Sequence, residues 1–151
     1  MSVIEQQKAL SGTYILVLHL RKRLQIIIGS LGTFAFQRGY YLYIGSAFGP
    51  GGLSARIRRH LRQGKKNHWH IDYLLAEAAV IDVWSSTDND KHECGWARII
   101  EGFSGLQLPI PGFGSSDCTC ASHLFYSIKK PQLRHYQLHL DTAIKRWCTI
   151  K

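Results

Sequence analysis

Residues 14–20 (YILVLHL) form a nearly continuous apolar run, and their β-branched and leucine content predicts a buried strand. Arg21, Lys22 and Arg23 read as a hairpin tip, with residues 24–28 (LQIII) as the returning strand. Gly29, Gly32 and Gly39 punctuate the next stretch, in which 33–37 gives a short strand and 40–44 a firmer one. Gly49-Pro50-Gly51-Gly52 then forces a loop, and the apolar period changes. Leu53, Ile57 and Leu61 lie four apart and predict the buried stripe of a helix ending at Gly64. Arg56, Arg59, His60 and Gln63 fall on a different face of that helix.

Beyond it, the pattern predicts a helix over 68–77, with His68 and Asp72 on one face. A buried strand follows over 80–84, then a polar loop to residue 90 and a helix over 93–103. Residues 109–116 read as a proline-glycine loop, 124–128 as a late strand and 131–147 as a closing helix with Pro131 near its start. Strands and helices mix without a regular βαβ rhythm, which predicts an α+β fold. At 151 residues, with no repeats or low-complexity linkers, a single domain over 1–151 is expected.

The charge changes the picture. Nineteen Lys and Arg stand against ten Asp and Glu, a formal net charge of +9. Arg56, Arg58, Arg59, Arg62, Lys65 and Lys66 fall within eleven consecutive positions, and Arg21 to Arg23 form a second knot. A lone basic run is often only a solvated helix face, but two of them point to a polyanion, with nucleic acid first. Residues 1–10 lack the pattern of a signal peptide, and no segment approaches the ~18 apolar residues of a membrane span. A cytoplasmic protein with no membrane partner is expected, its Cys94, Cys118, Cys120 and Cys148 being thiols or metal ligands rather than disulfides.

Candidate chemistry gathers around Tyr43-Ile44-Gly45 and the basic helix. A phenol can pass a proton, Arg56 offers a planar fork for phosphate oxygens, and His60 one turn later adds a second donor. Tyr14 heads the apolar strand, and Glu93 is an acid suited to a hydrated Mg²⁺ or Mn²⁺. Each has an ordinary alternative: packing for the tyrosines, a solvated helix face for His60, a helix-start acid for Glu93.

In order, Gly12-Thr13-Tyr14, Tyr43-Ile44-Gly45, Arg56 with His60, and Glu93 resemble the active-site set of the GIY-YIG nucleases, with Thr13 in place of the middle residue of the first half-motif. The match covers about residues 12–95. The strings 40–47 (YYLYIGSA), 51–60 (GGLSARIRRH), 68–74 (HWHIDYL) and 111–126 (PGFGSSDCTCASHLFY) resemble one branch more closely. This is a group of small archaeal and bacterial proteins of that type, sometimes joined to an endonuclease III-type repair domain. The resemblance implies a small antiparallel sheet flanked by helices. Because the stretch from Tyr14 to Tyr43 exceeds the family's short connection, it also implies an inserted hairpin, one that could narrow the groove. It implies cleavage of phosphodiester bonds in DNA ahead of RNA. In that scheme Tyr14 accepts the proton, its pKa lowered by Arg56 and the metal ion, and Arg56 contacts the scissile phosphate. Tyr43 and His60 orient water or phosphate, and Glu93 carries the metal ion. Arg58, Arg59, Arg62, Lys65 and Lys66 are the expected nucleic-acid contacts.

Cys118, Cys120 and His123 lie within six residues, and Cys94 stands beside Glu93. Four such ligands suit a tetrahedral structural Zn²⁺. Reduced buried thiols and a hydrogen-bonded imidazole are the alternative. Three classes therefore stay open: a nuclease, a nucleic-acid-binding module that keeps the groove without cutting, and a zinc-stabilised partner domain for a repair enzyme.

Overall fold

The computed structural model describes residues 10–115, 118–140 and 142–147. Cys148 lies outside them. β1 (Gly12–Leu20) is the axis of the sheet, paired antiparallel with β4 (Gly39–Ala47) on one side and β5 (Ala79–Ser86) on the other. With β6 (Leu106–Gln107), β7 (Leu124–Ser127) and β8 (Lys145–Arg146), the order is β6-β7-β4-β1-β5-β8. Every neighbouring pair is antiparallel. The protein is thus α+β, as its pattern predicts.

The apolar run of β1 is continuous because both faces of the sheet are covered. Tyr14, Leu16 and Leu18 join Tyr41 and Tyr43 on one face, beneath α1 (Gly52–Leu61) and α2 (His70–Leu75). Ile15 and Val17 join Leu42, Ile44 and Trp84 on the other, beneath α3 (Glu93–Glu101) and α4 (Leu133–His139). Strand alternation divides the side chains between two cores.

Residues 24–28 do not return along β1. β2 (Leu24–Ile28) pairs instead with β3 (Gly32–Phe36) in a separate two-stranded sheet, turning through Gly29 at φ 47°. Both edges of β1 are already taken by β4 and β5, so the hairpin must fold onto itself and bury Ile26, Ile28 and Phe36 against the first core. This is the expected insertion. It leaves from the Leu20 end of β1, about 20 Å along the strand from Tyr14 at roughly 3.3 Å per residue.

The closing helix is also shorter than its sequence suggests. α4 stops at His139, Leu140 turns extended, and residues 145–146 add β8 to β5. Arg146 reaches Asp82 across that edge, with Nε 3.0 Å from Oδ1. α1 starts from Gly51 and Gly52, at φ 81° and 58°, conformations that a side chain resists. None of the described helices is long and apolar enough to cross a membrane.

Candidate active site

Register places the two tyrosines together. Tyr14 lies opposite Gly45 and Leu16 opposite Tyr43, so both rings stand on the face beneath α1. A Cβ on Gly45 would overlap the Tyr14 phenol, so this glycine lets the ring lie across β4. One turn of α1 then delivers two partners. Arg56 Nη1 donates to the Ser46 carbonyl at 3.1 Å, and His60 Nε2 lies 2.5 Å from the Tyr14 hydroxyl. The Tyr43 and His60 rings meet edge-on, with centroids 6.1 Å apart. His60 is 2% exposed, deeper than a helix face shared with Arg56 and Arg59 suggests, because it turns inward over Tyr14.

Glu93 comes from the other side of the sheet. The last β4–β7 pair is Tyr43 with Leu124, so residues 45–47 have no strand neighbour on that edge among the described residues. α3 begins beside this gap, and the N–H of His92 donates to Thr13 Oγ1 at 3.3 Å. Thr13 therefore pins the head of the Glu93 helix. Ser46 joins the two faces: its Oγ donates to Glu93 Oε2 at 3.1 Å while its carbonyl accepts from Arg56. Ser46 carried no signal in the sequence beyond following the glycine.

Burial governs the resting charges. It raises the Tyr14 pKa well above 10, aided by Tyr43 and opposed by Arg56. Burial likewise raises Tyr43, with Glu93 adding to the effect. The expected lowering of the Tyr14 pKa counted Arg56 together with a metal ion; the Arg56 charge acts in the expected direction, but alone it is smaller than desolvation. His60 is pushed down to about 3, by burial first, with Arg56, Arg59 and Lys65 adding and Asp72 opposing. A neutral phenol and a neutral imidazole thus share one proton at rest. His60 Nδ1 is buried without a hydrogen-bond partner among the described residues.

A brace holds α1 over the two tyrosines. Asp72, buried on α2, accepts from Arg59 Nη1 and Nη2 at 3.0 and 2.9 Å and from the backbone N–H groups of His68 and Trp69 at 2.8 and 2.9 Å. His68 consequently lies before the helix rather than on it. The Trp69 ring packs under Arg59 and Arg56, at 3.9 and 4.5 Å from their guanidinium carbons. Of the basic run, Arg59 is thus committed to Asp72, and Lys65 donates to the carbonyls of His60 and Arg62 at the end of α1. Arg58, Arg62 and Lys66 are exposed. A pocket of about 170 Å³ opens beside Arg56, lined by Ala47, Gly49, Pro50, Gly52, Ala55 and Arg59.

A second cluster adjoins the first. Ligand atoms of Cys94, Cys118, Cys120 and His123 all lie within 4.8 Å of one another, an arrangement that could hold a metal ion. Cys94 comes from α3 and the others from the segment leading into β7, whose path is fixed by Gly112 N–H to Ala121 O and His123 N–H to Phe113 O. Burial, followed by the two neighbouring thiols, pushes Cys120 up to about 12. Three thiols at this spacing resist ionising together, and a bound cation would relieve that repulsion. His123 faces both ways: Nε2 lies 3.4 Å from Cys118 Sγ and Nδ1 3.0 Å from Glu93 Oε1. The second contact is close but off the hydrogen-bond axis, so Nδ1 lacks an aligned partner. Burial lowers the His123 pKa, yet Glu93 and Cys118 outweigh it and the net shift is upward.

Tyr14, Tyr43, Arg56, His60 and Glu93 therefore gather around the Ser46 end of β4, with both tyrosines and His60 buried and the cysteine cluster behind Glu93. The family model described as Domain of unknown function DUF123 matches residues 13–145. No curated protein matches the chain, and no solved structure does.

Proposed function

The chain belongs to the DUF123 family, and we propose that this member is a divalent-cation-dependent endonuclease that hydrolyses phosphodiester bonds in nucleic acid. The observation that carries the proposal is the convergence of Tyr14, His60 and Arg56 on the strand end that Glu93 reaches through Ser46. The resemblance of these residues to the GIY-YIG set supports it, and alone supports DNA ahead of RNA and a repair-type partner. Among the described residues Arg56 has no carboxylate ion pair, and its charge, held in place by the Ser46 carbonyl, would serve the phosphoryl oxygens. Glu93 would hold Mg²⁺ or Mn²⁺ largely through its waters, and that ion would offset charge on the phosphoryl oxygens.

Tyr14 then works as a relay rather than as a resident phenolate. The attacking water gives its proton to the phenol oxygen as the Tyr14 proton passes to His60 Nε2, in the tautomer with hydrogen on Nδ1. The water oxygen bonds to phosphorus, and the ester oxygen leaves and takes a proton from solvent. An imidazolium in this core is costly, and the negative charge developing at the phosphate beside Arg56 offsets it. Behind Glu93, three sulfurs and an imidazole nitrogen are the donor set of a structural Zn²⁺, which we assign to Cys94, Cys118, Cys120 and His123.

Glu93→Gln keeps the shape of the site and removes one charge. Nicking of supercoiled plasmid in Mn²⁺ should fall at least about a hundredfold, with DNA binding by mobility shift unchanged or tighter. Plasmid cleavage persisting in the variant would place the active site elsewhere. The rival reading, a groove that binds without cutting, is favoured by the burial of Tyr14 and His60. It predicts equal binding and no nicking by either protein.

Binding should weaken steeply with salt, because each neutralised phosphate releases counterions. Replacing exposed Arg62 and Lys66 together with Ala should lower the slope of log K against log salt by about 2, and leave cleavage of saturated substrate near the wild-type rate. A slope unaltered by the double replacement would place the nucleic acid on another face.

A further inference from the structure

We propose that Glu93 serves two centres at once. It is the groove's cation-binding carboxylate, and it is also the positioning residue that holds His123 in the tautomer needed for metal ligation by the thiolate cluster. The groove half rests on the function proposed above; the half that concerns His123 does not.

The two ring nitrogens of His123 have different tasks. An imidazole that ligates through Nε2 must carry its hydrogen on Nδ1, and such rings nearly always donate that hydrogen to an outer carboxylate or carbonyl. His123 is oriented this way: Nε2 lies on the Cys118 side and Nδ1 on the Glu93 side. The ring is 2% exposed, and Nδ1 has no aligned partner among the described residues. Glu93 Oε1, at 3.0 Å, is in position to accept after a small rotation of the carboxylate.

The other oxygen of the same carboxylate is tied to the groove through Ser46 Oγ. Glu93 and Cys94 are also adjacent on the first turn of α3. A metal ion on Cys94, Cys118, Cys120 and His123 would thus fix the turn that presents Glu93. Fixing His123 at Nε2 directs its N–H at Oε1 and narrows the orientations open to the carboxylate. Two centres that share one group must influence each other's affinity by the same factor.

The test uses the full chain loaded with Zn²⁺. Zinc affinity is measured by competition with a chromophoric chelator for wild type and Glu93→Ala, a partly exposed position. We expect zinc binding about tenfold to a hundredfold weaker in the variant, the usual effect of losing the carboxylate behind a ligating imidazole. Equal zinc affinities would overturn the assignment. In the second arm, His123→Cys supplies a fourth thiolate, keeps one zinc per chain and removes the link to Glu93. Mn²⁺ binding by electron paramagnetic resonance should then weaken about tenfold or more. Unchanged Mn²⁺ affinity would show that Glu93 is positioned without His123. If His123→Cys does not fold, the Glu93→Ala arm decides. A zinc-loaded wild type that takes up no Mn²⁺ would remove the groove's cation, and the nuclease proposal with it. The zinc arm would still decide the role of Glu93 toward His123.

Discussion

Arg56→Ala should slow phosphodiester cleavage about a hundredfold or more, a loss of roughly 3 kcal/mol of transition-state stabilisation. Arg56 is half-buried, donates to the Ser46 carbonyl and packs on Trp69, so its guanidinium is held in place before substrate arrives. A pre-positioned cation stabilises charge that develops on the phosphoryl oxygens without waiting for solvent to reorganise. The loss should appear in kcat, measured by single-turnover nicking, with a smaller change in binding. Arg56→Lys should recover little, since an ammonium keeps the charge and loses the fork. Tyr14→Phe should slow cleavage comparably for a different reason. It removes the relay hydroxyl and leaves both nitrogens of buried His60 without partners. A Tyr14→Phe rate equal to wild type would exclude the relay and leave Arg56 as an electrostatic clamp alone.

Asp72→Ala should be the most destabilising single change around the groove. The Asp72 side chain is fully buried and accepts four hydrogen bonds, two of them from Arg59, which is 23% exposed. Removing the carboxylate strands a partly buried guanidinium and two backbone N–H groups, a loss of about 3–5 kcal/mol. For a chain of this length that corresponds to roughly 10 °C or more in Tm. Burial pushes the Asp72 carboxyl up, but the Arg59 hydrogen bond and the N–H groups of Trp69 and His68 outweigh it and hold the pKa at about 2. The folded value lies below the usual 3.8, so the stabilisation is complete above about pH 4 and fades as pH falls through about 2. Thermal melts of wild type and Asp72→Asn should therefore converge on acidification across that window. Parallel melting curves from pH 5 to pH 2 would contradict this account of the brace.

Much of this was legible in the sequence because it is local. The run of β1, the stripe of Leu53 and Ile57, and the glycine turn before α1 all follow from spacing within a few residues. The insertion between the tyrosines was visible as excess length. Its pairing was not, since an apolar pattern marks a strand without choosing a partner, and β2 chose β3 over β1. The order of Tyr14, Tyr43, Arg56, His60 and Glu93 pointed to one groove. How deeply His60 and Tyr14 sit depends on the roof that α2 and Trp69 provide, and burial then reverses the expected shift of the phenol. The contact of Glu93 with His123 spans thirty residues, beyond any motif spacing. Asp72 was visible only as sharing a helix face with His68, yet its bond to Arg59 withdraws from the basic run a cation that looked free for phosphate.

The most direct measurement is a time course of zinc-loaded wild-type protein on supercoiled plasmid, with Mn²⁺ present and with it omitted. The account predicts conversion to open circles that requires the added cation. Plasmid that stays supercoiled under both conditions, with single-stranded DNA, branched DNA and RNA likewise left intact, would contradict it.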